Sequence, residues 1–187
     1  MTALERYEYG ATFNAEYQFK LGLLYLEEGH SGRPGRPGFF SVLKDEAKGL
    51  ALIQRAAEQG AAMASDFLSM FYIGREDLQK GFMWKKKAAE QGLANAQTQL
   101  GILLLGGAFV PRDYFNACVW LTVAAANDAP GGSKFLEGVL AGLSPFERAR
   151  VQKAASELQG RLPKISLGQH LEMVGLLGED FVDRFPA

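Results

Sequence analysis

Ala56-Ala57-Glu58-Gln59-Gly60 returns unchanged as Ala88-Ala89-Glu90-Gln91-Gly92, thirty-two positions further on, and a blurred third copy, Ala-Ala-Ala-Asn-Asp-Ala, follows at Ala124 to Ala129. Self-similarity at a period of about 20 to 50 residues is the mark of stacked supersecondary units, each too small to bury its own apolar face. Each copy ends a helical stretch that opens at an aspartate: Asp45, Asp77 and Asp113 offer N-cap side chains for helices over 46–59, 78–91 and 114–127. Gly60 and Gly92 can take the left-handed conformation that closes the first two.

Upstream of each aspartate lies a second helical pattern. Apolar residues at three-and-four spacing predict helices over 12–28, with Thr12 as cap, over 61–73 and over 93–105. The connections inside the pairs differ in length. His30 to Lys44 carries Gly-Arg-Pro-Gly-Arg-Pro-Gly, which forbids a regular element and predicts an inserted loop. The segment Leu4 to Tyr9 predicts a helical turn covering the open end of the stack. Past Gly131-Gly132 the repeat dissolves, and Ser144-Pro145-Phe146-Glu147 is a capping box with proline at the first helical position, opening a helix to Leu158. The organisation expected is an N-terminal extension over 1–11, repeats over 12–60, 61–92 and 93–128, capping helices over 129–160 and an apolar tail over 161–187.

Composition narrows the function classes. The chain has 187 residues, 48% of them apolar, enough for a continuous core. Its 20 basic and 21 acidic residues leave a net charge of -1 and no global footprint for nucleic acid. One cysteine, Cys118, and two histidines, His30 and His170, make neither a disulfide framework nor a metal-ligand cluster. No apolar run reaches the length of a membrane span and the first residues lack a secretory pattern, so the expected address is cytoplasmic, with neither cofactor nor metal.

Aligned by their shared leucine, the first helices read Tyr17-x-x-x-Leu21-Gly22-x-x-Tyr25, Ala64-x-x-x-Leu68-Ser69-x-x-Tyr72 and Ala96-x-x-x-Leu100-Gly101-x-x-Leu104; the second read Lys48-Gly49-x-x-Leu52, Lys80-Gly81-x-x-Trp84 and Asn116-Ala117-x-x-Trp120. This resembles the Sel1-like repeat, a relative of the tetratricopeptide repeat. The resemblance covers Ala15 to about Asp128, with departures at Tyr17, Ser69, Leu52 and Leu104. It implies an all-α solenoid of three antiparallel helix pairs in a right-handed superhelix with a C-terminal capping helix pair, of bacterial type. The implied role is a non-catalytic scaffold or adaptor for a protein or peptide in a signalling, envelope or secretion pathway.

By the same resemblance the first helices line a concave groove. Its positions here are Glu16, Phe19 and Leu23, then Met63, Asp66 and Met70, then Asn95, Thr98 and Ile102, with Leu26, Ile73 and Leu105 at a fourth position that core packing also explains. So apolar a groove suits an apolar helix or extended peptide. The apolar tail, with Leu167, Leu171, Val174, Phe181 and Phe185, is a second candidate occupant or a route to self-association. In the insertion, Arg33, Arg36, Phe39 and Phe40 are candidate contacts for a partner, against the plainer reading of a tolerated loop. Lys85, Lys86 and Lys87 read as a solvated face and Cys118 as packing beside Trp120. The competing class is a hydrolase of cell-wall or β-lactam-like compounds. Its strongest residue signal is Ser41-Val42-Leu43-Lys44, a Ser-x-x-Lys match without the motifs that accompany it in penicillin-recognising enzymes.

Overall fold

The computed structural model describes residues 2–27, 30–31, 40–127, 129 and 131–163; the tail from 164 onward and the proline-glycine run at 32–39, with the contacts proposed for them, lie outside the described residues. The described chain forms two compact units, one ending at Ser65 and the other starting at Asp66.

In the first unit α1 (Ala3–Phe13) packs on α2 (Ala15–Glu27), and α2 on α3 (Glu46–Glu58). The Leu4 to Tyr9 turn is thus a full helix. Thr2 and Glu5 satisfy its first N–H groups reciprocally in a capping box. Thr12 is not the cap of α2; it lies in the last turn of α1, its hydroxyl donating to the Glu8 carbonyl at 3.1 Å. The true cap is Asn14, whose side-chain oxygen accepts from the N–H groups of Glu16 (2.8 Å) and Tyr17 (3.3 Å). A lone Asn therefore divides α1 from α2, two residues past the start expected at Thr12. The insertion, expected to hold no regular element, is pinned at its ends by a two-residue antiparallel ladder, β1 (His30–Ser31) with β2 (Phe40–Ser41).

The helix α4 (Ala62–Gly74) carries the boundary between the units. The second unit continues with α5 (Leu78–Glu90), α6 (Ala94–Gly106), α7 (Tyr114–Ala126), α8 (Gly132–Leu140) and α9 (Pro145–Gln159). Here α7 lies against both α8 and α9, and Cys118, Val119 and Val123 share a core with Val151 and Ala155.

The repeat is visible as recurring bonds. Asp45, Asp77 and Asp113 each cap a second helix, the carboxylate accepting from the N–H three residues on at 2.9, 3.1 and 3.0 Å. The N–H of each same aspartate donates to the carbonyl of Tyr25, Tyr72 or Leu104 at 2.8, 3.0 and 3.1 Å. Connections of very different length thereby close on one geometry. At the other end the Ala56, Ala88 and Ala124 carbonyls accept from Ala61, Leu93 and Ala129 at 3.0, 3.1 and 3.0 Å, and Gly60 and Gly92 stand at φ 103 and 91. Those alanines are fully buried along with Ala57 and Ala89, so the recurring pair lies in the core.

In the first and third repeats the helix pair crosses at a glycine of its first helix. A Cβ on Gly22 would stand 2.5 Å from Ile53 Cγ1 and 2.8 Å from the Gly49 carbonyl, and one on Gly101 would stand 2.7 Å from Leu121 Cγ. Side chains at these points would force the helices apart.

Candidate functional site

The crossing rule breaks in the middle repeat, and the break builds the most distinctive feature of the second unit. Ile53 and Leu121 pack over Gly22 and Gly101; the corresponding residues between them are Lys85 and Ser69. Lys85 is not part of a solvated face. It is 3% exposed, and its ammonium donates to the Asp66 carboxylate on α4 and to the Gln99 side-chain oxygen on α6. A lysine stem with four methylenes fills the apolar slot while its charge reaches out to acceptors on both flanking first helices. Fanning of consecutive residues around a helix sends Lys85 inward, leaves Lys86 exposed and lays Lys87 over the Trp84 ring at 4.9 Å. Ser69 Oγ is buried beside this slot with no hydrogen-bond partner.

Glu16, Phe19 and Leu23 on α2 and Met63 on α4 are half-buried and belong to the first unit. In the second unit Asp66 is the acceptor of Lys85, its side chain only 13% exposed, and so holds two repeats together instead of facing solvent. Thr98 is likewise buried, its hydroxyl turned back toward the Ala94 carbonyl at 3.5 Å, and does not line an exposed surface. Met70 is 58% exposed, Asn95 is exposed and Ile102 is half-buried. Leu26 and Ile73 pack on Gly49 and Gly81, as the core explanation of that fourth position requires; Leu105 is half-buried.

Two residues absent from the alignment-based set join Met70. Phe67 and Phe71, one turn apart on α4, stack with centroids 6.4 Å apart, and the Arg75 guanidinium lies 3.8 Å over the Phe71 ring. With Met70 they form an apolar stripe at i, i+3 and i+4, a spacing legible in the sequence but outranked there by family register. Since Lys85 bonds to both α4 and α6, the stripe and the α6 residues Asn95 and Ile102 are carried on two helices fixed to each other.

For chemistry the described residues offer little. Ser41 and Lys44 are both exposed, and no hydrogen bond between them occurs among the described residues. A cavity of about 270 Å³ between α7 and α9 is lined by Tyr114, Phe115, Cys118, Leu143, Glu147, Arg150 and Val151. Burial pushes the Cys118 thiol up, away from the reactive thiolate. Hydrogen bonds from Ser144 hold the Glu147 carboxyl below its usual range while tying it to the α9 cap. Neither group is set up as a nucleophile or a base. Among the described residues no group of three or more His, Cys, Asp or Glu is placed to hold a metal ion, and no helix is long and apolar enough to cross a membrane.

The Sel1 repeat pattern matches residues 15–60, 63–93 and 94–128. This chain belongs to the Sel1 repeat family. Two solved structures are similar to it. One, from uropathogenic Escherichia coli, is c5321, described as a protective antigen displaying an SLR fold; it superposes with a TM-score of 0.61 at 25% identity over 88% of this chain and 33% of its own. The other, a Sel1 repeat protein from Oxalobacter formigenes, gives 0.59 at 26% identity over 72% of this chain and 97% of its own. This chain therefore spans about a third of the length of the first. No curated protein matches it. The Sel1 fold is an all-α solenoid of repeats, and the two-residue ladder is a local closure that leaves that class unchanged.

Proposed function

We propose that this Sel1 repeat protein is a non-catalytic interaction scaffold that seats an apolar helix or extended peptide on the exposed face of α4 and α6. The observation that carries the reading is the stripe of exposed Met70 with half-buried Phe67 and Phe71, on a helix that Lys85 ties to its neighbour. Rigid presentation of partly exposed aromatic and thioether groups is how helix-binding surfaces obtain affinity without losing conformational entropy on docking. Sel1 repeats serve generally as protein-interaction scaffolds, which favours the same reading. The cytoplasm of a bacterium, as an adaptor in a signalling, envelope or secretion pathway, belongs to this proposal; both solved structures that resemble the chain come from bacteria, which favours that setting.

The test is comparative capture of binding partners by the wild-type chain and by Met70→Asp, at a position that is 58% exposed. Asp66 and Thr98 are unsuitable targets, since changing either disturbs packing. A charge on the stripe is expected to remove the partner while thermal stability stays within about 0.5 kcal/mol, as for surface substitutions. Equal recovery of the same partner by both proteins would refute the site.

A further inference from the structure

The first and third repeats carry a glutamine at one register position, Gln18 and Gln97, and it meets opposite fates. Gln97 is buried, but its amide is satisfied: Nε2 donates to the carbonyl of Ala89, eight residues back at the end of α5, at 3.2 Å, and Oε1 accepts from Asn127 at 2.9 Å. It thus reads the C-terminal turn of the preceding helix, where the paired alanines lie. Gln18 is 1% exposed, and both polar atoms of its amide lack a hydrogen-bond partner. Burying an amide unpaired is costly, and a methionine or leucine would fill the same volume without that cost.

The helix α1 precedes α2 as α5 precedes α6, yet its geometry differs. Gln91, Gly92 and Leu93, with Gly92 in the left-handed region, separate α5 from α6, whereas Asn14 alone separates α1 from α2. The shorter link denies Gln18 the carbonyl that Gln97 finds. Gly10 precedes Gln18 by the eight positions that separate Ala89 from Gln97, and no bond from the Gln18 amide forms to it. Among the described residues, α1 meets the rest of the unit through a small apolar contact of Leu4 and Ala11 with Tyr17, Leu21 and Leu24, plus one polar latch. In that latch the Lys48 ammonium donates to the Tyr25 hydroxyl (2.6 Å) and to Glu8 (3.1 Å), and the Tyr25 hydroxyl donates to Glu8 (3.2 Å). Lys48 and Glu8 are 45% and 39% exposed, so the latch is weak.

We propose that α1 is a displaceable cap, and that the face of α2 around Gln18 accepts in trans the C-terminal turn of an alanine-faced helix, one of its last carbonyls accepting from the Gln18 amide as that of Ala89 accepts from Gln97. The occupant is a helix ending in the chemistry of Ala-Ala-Glu-Gln-Gly, presented by another repeat protein. This surface is separate from the α4 and α6 stripe, and its fate is independent of that reading.

The probe is a fluorescent peptide of residues 78–93 of this chain, titrated by anisotropy against the full-length protein. Glu8→Ala, and in parallel Lys48→Ala from the other side of the latch, is expected to tighten binding roughly two- to five-fold. Gln18→Met is expected to weaken it about tenfold while raising the melting temperature, an opposition that a merely structural glutamine does not produce. A peptide carrying Ala88→Leu and Ala89→Leu is expected not to bind. The proposal is overturned if no protein binds the peptide, if Gln18→Met binds it undiminished or melts lower than the wild type, or if opening the latch yields dimers by light scattering in place of peptide binding, which would assign the face to a second copy.

Discussion

Replacing Lys85 by leucine tests the account of the middle repeat most directly. The substitution gives the α5 slot the residue type found at Leu121, but it strips the Asp66 carboxylate, 13% exposed, of its cationic partner. Removing one member of a buried pair costs about 3–5 kcal/mol, because the survivor stays desolvated. At roughly 2–4 °C per kcal/mol for a chain of this size, the melting temperature should fall by about 6–20 °C. Adding Asp66→Thr and Ser69→Gly converts the slot to the set present in the third repeat, Thr98, Gly101 and Leu121. Apolar replacement of a whole buried pair is neutral or stabilising by about 1–4 kcal/mol, so the triple variant should melt at or above the wild type. The assay is thermal and urea unfolding followed by circular dichroism and by the fluorescence of Trp84, the neighbour of Lys85 on α5. A single variant as stable as the wild type, or a triple variant no better than the single one, would refute the claim that charge pairing compensates for the lost glycine crossing.

Three further outcomes follow from the packing. Gly101→Ala sets a Cβ 2.7 Å from Leu121 Cγ and should cost about 1–3 kcal/mol in urea unfolding, whereas Gly74→Ala, with open space around the new atom, should be neutral or slightly stabilising. Asp113→Ala should cost about 1 kcal/mol by loss of the α7 cap. The Asn116 backbone and side-chain bonds hold the Asp113 carboxyl below its ordinary value in the folded state, so its charge stabilises the fold above the unfolded value; that contribution is lost as pH falls from about 4 through the depressed folded one, and a pH titration of stability in both proteins should converge there. Cys118, fully buried with its thiol pushed up, should resist alkylation in the native chain and react at the rate of global unfolding in denaturant; fast native labelling would contradict its place in the α7 and α9 core.

The sequence by itself determined the repeat, its helices and nearly all of their ends. Asp45, Asp77, Asp113 and Ser144 act on N–H groups three residues away, and the alanine pairs and their glycines act within one turn, so those signals lie in a few adjacent letters. Asn14 was also local, yet Thr12, two residues earlier, offered a competing cap side chain that α1 uses within its own last turn. Tertiary structure alone decided which polar residues are spent inside. Lys85 looks like its neighbours Lys86 and Lys87 until α4 and α6 supply Asp66 and Gln99, and Gln18 looks like Gln97 until the helix before it fails to present a carbonyl. A cap is settled by the chain's own next turn, whereas the state of a buried charge or amide is settled by whatever distant helix arrives to meet it.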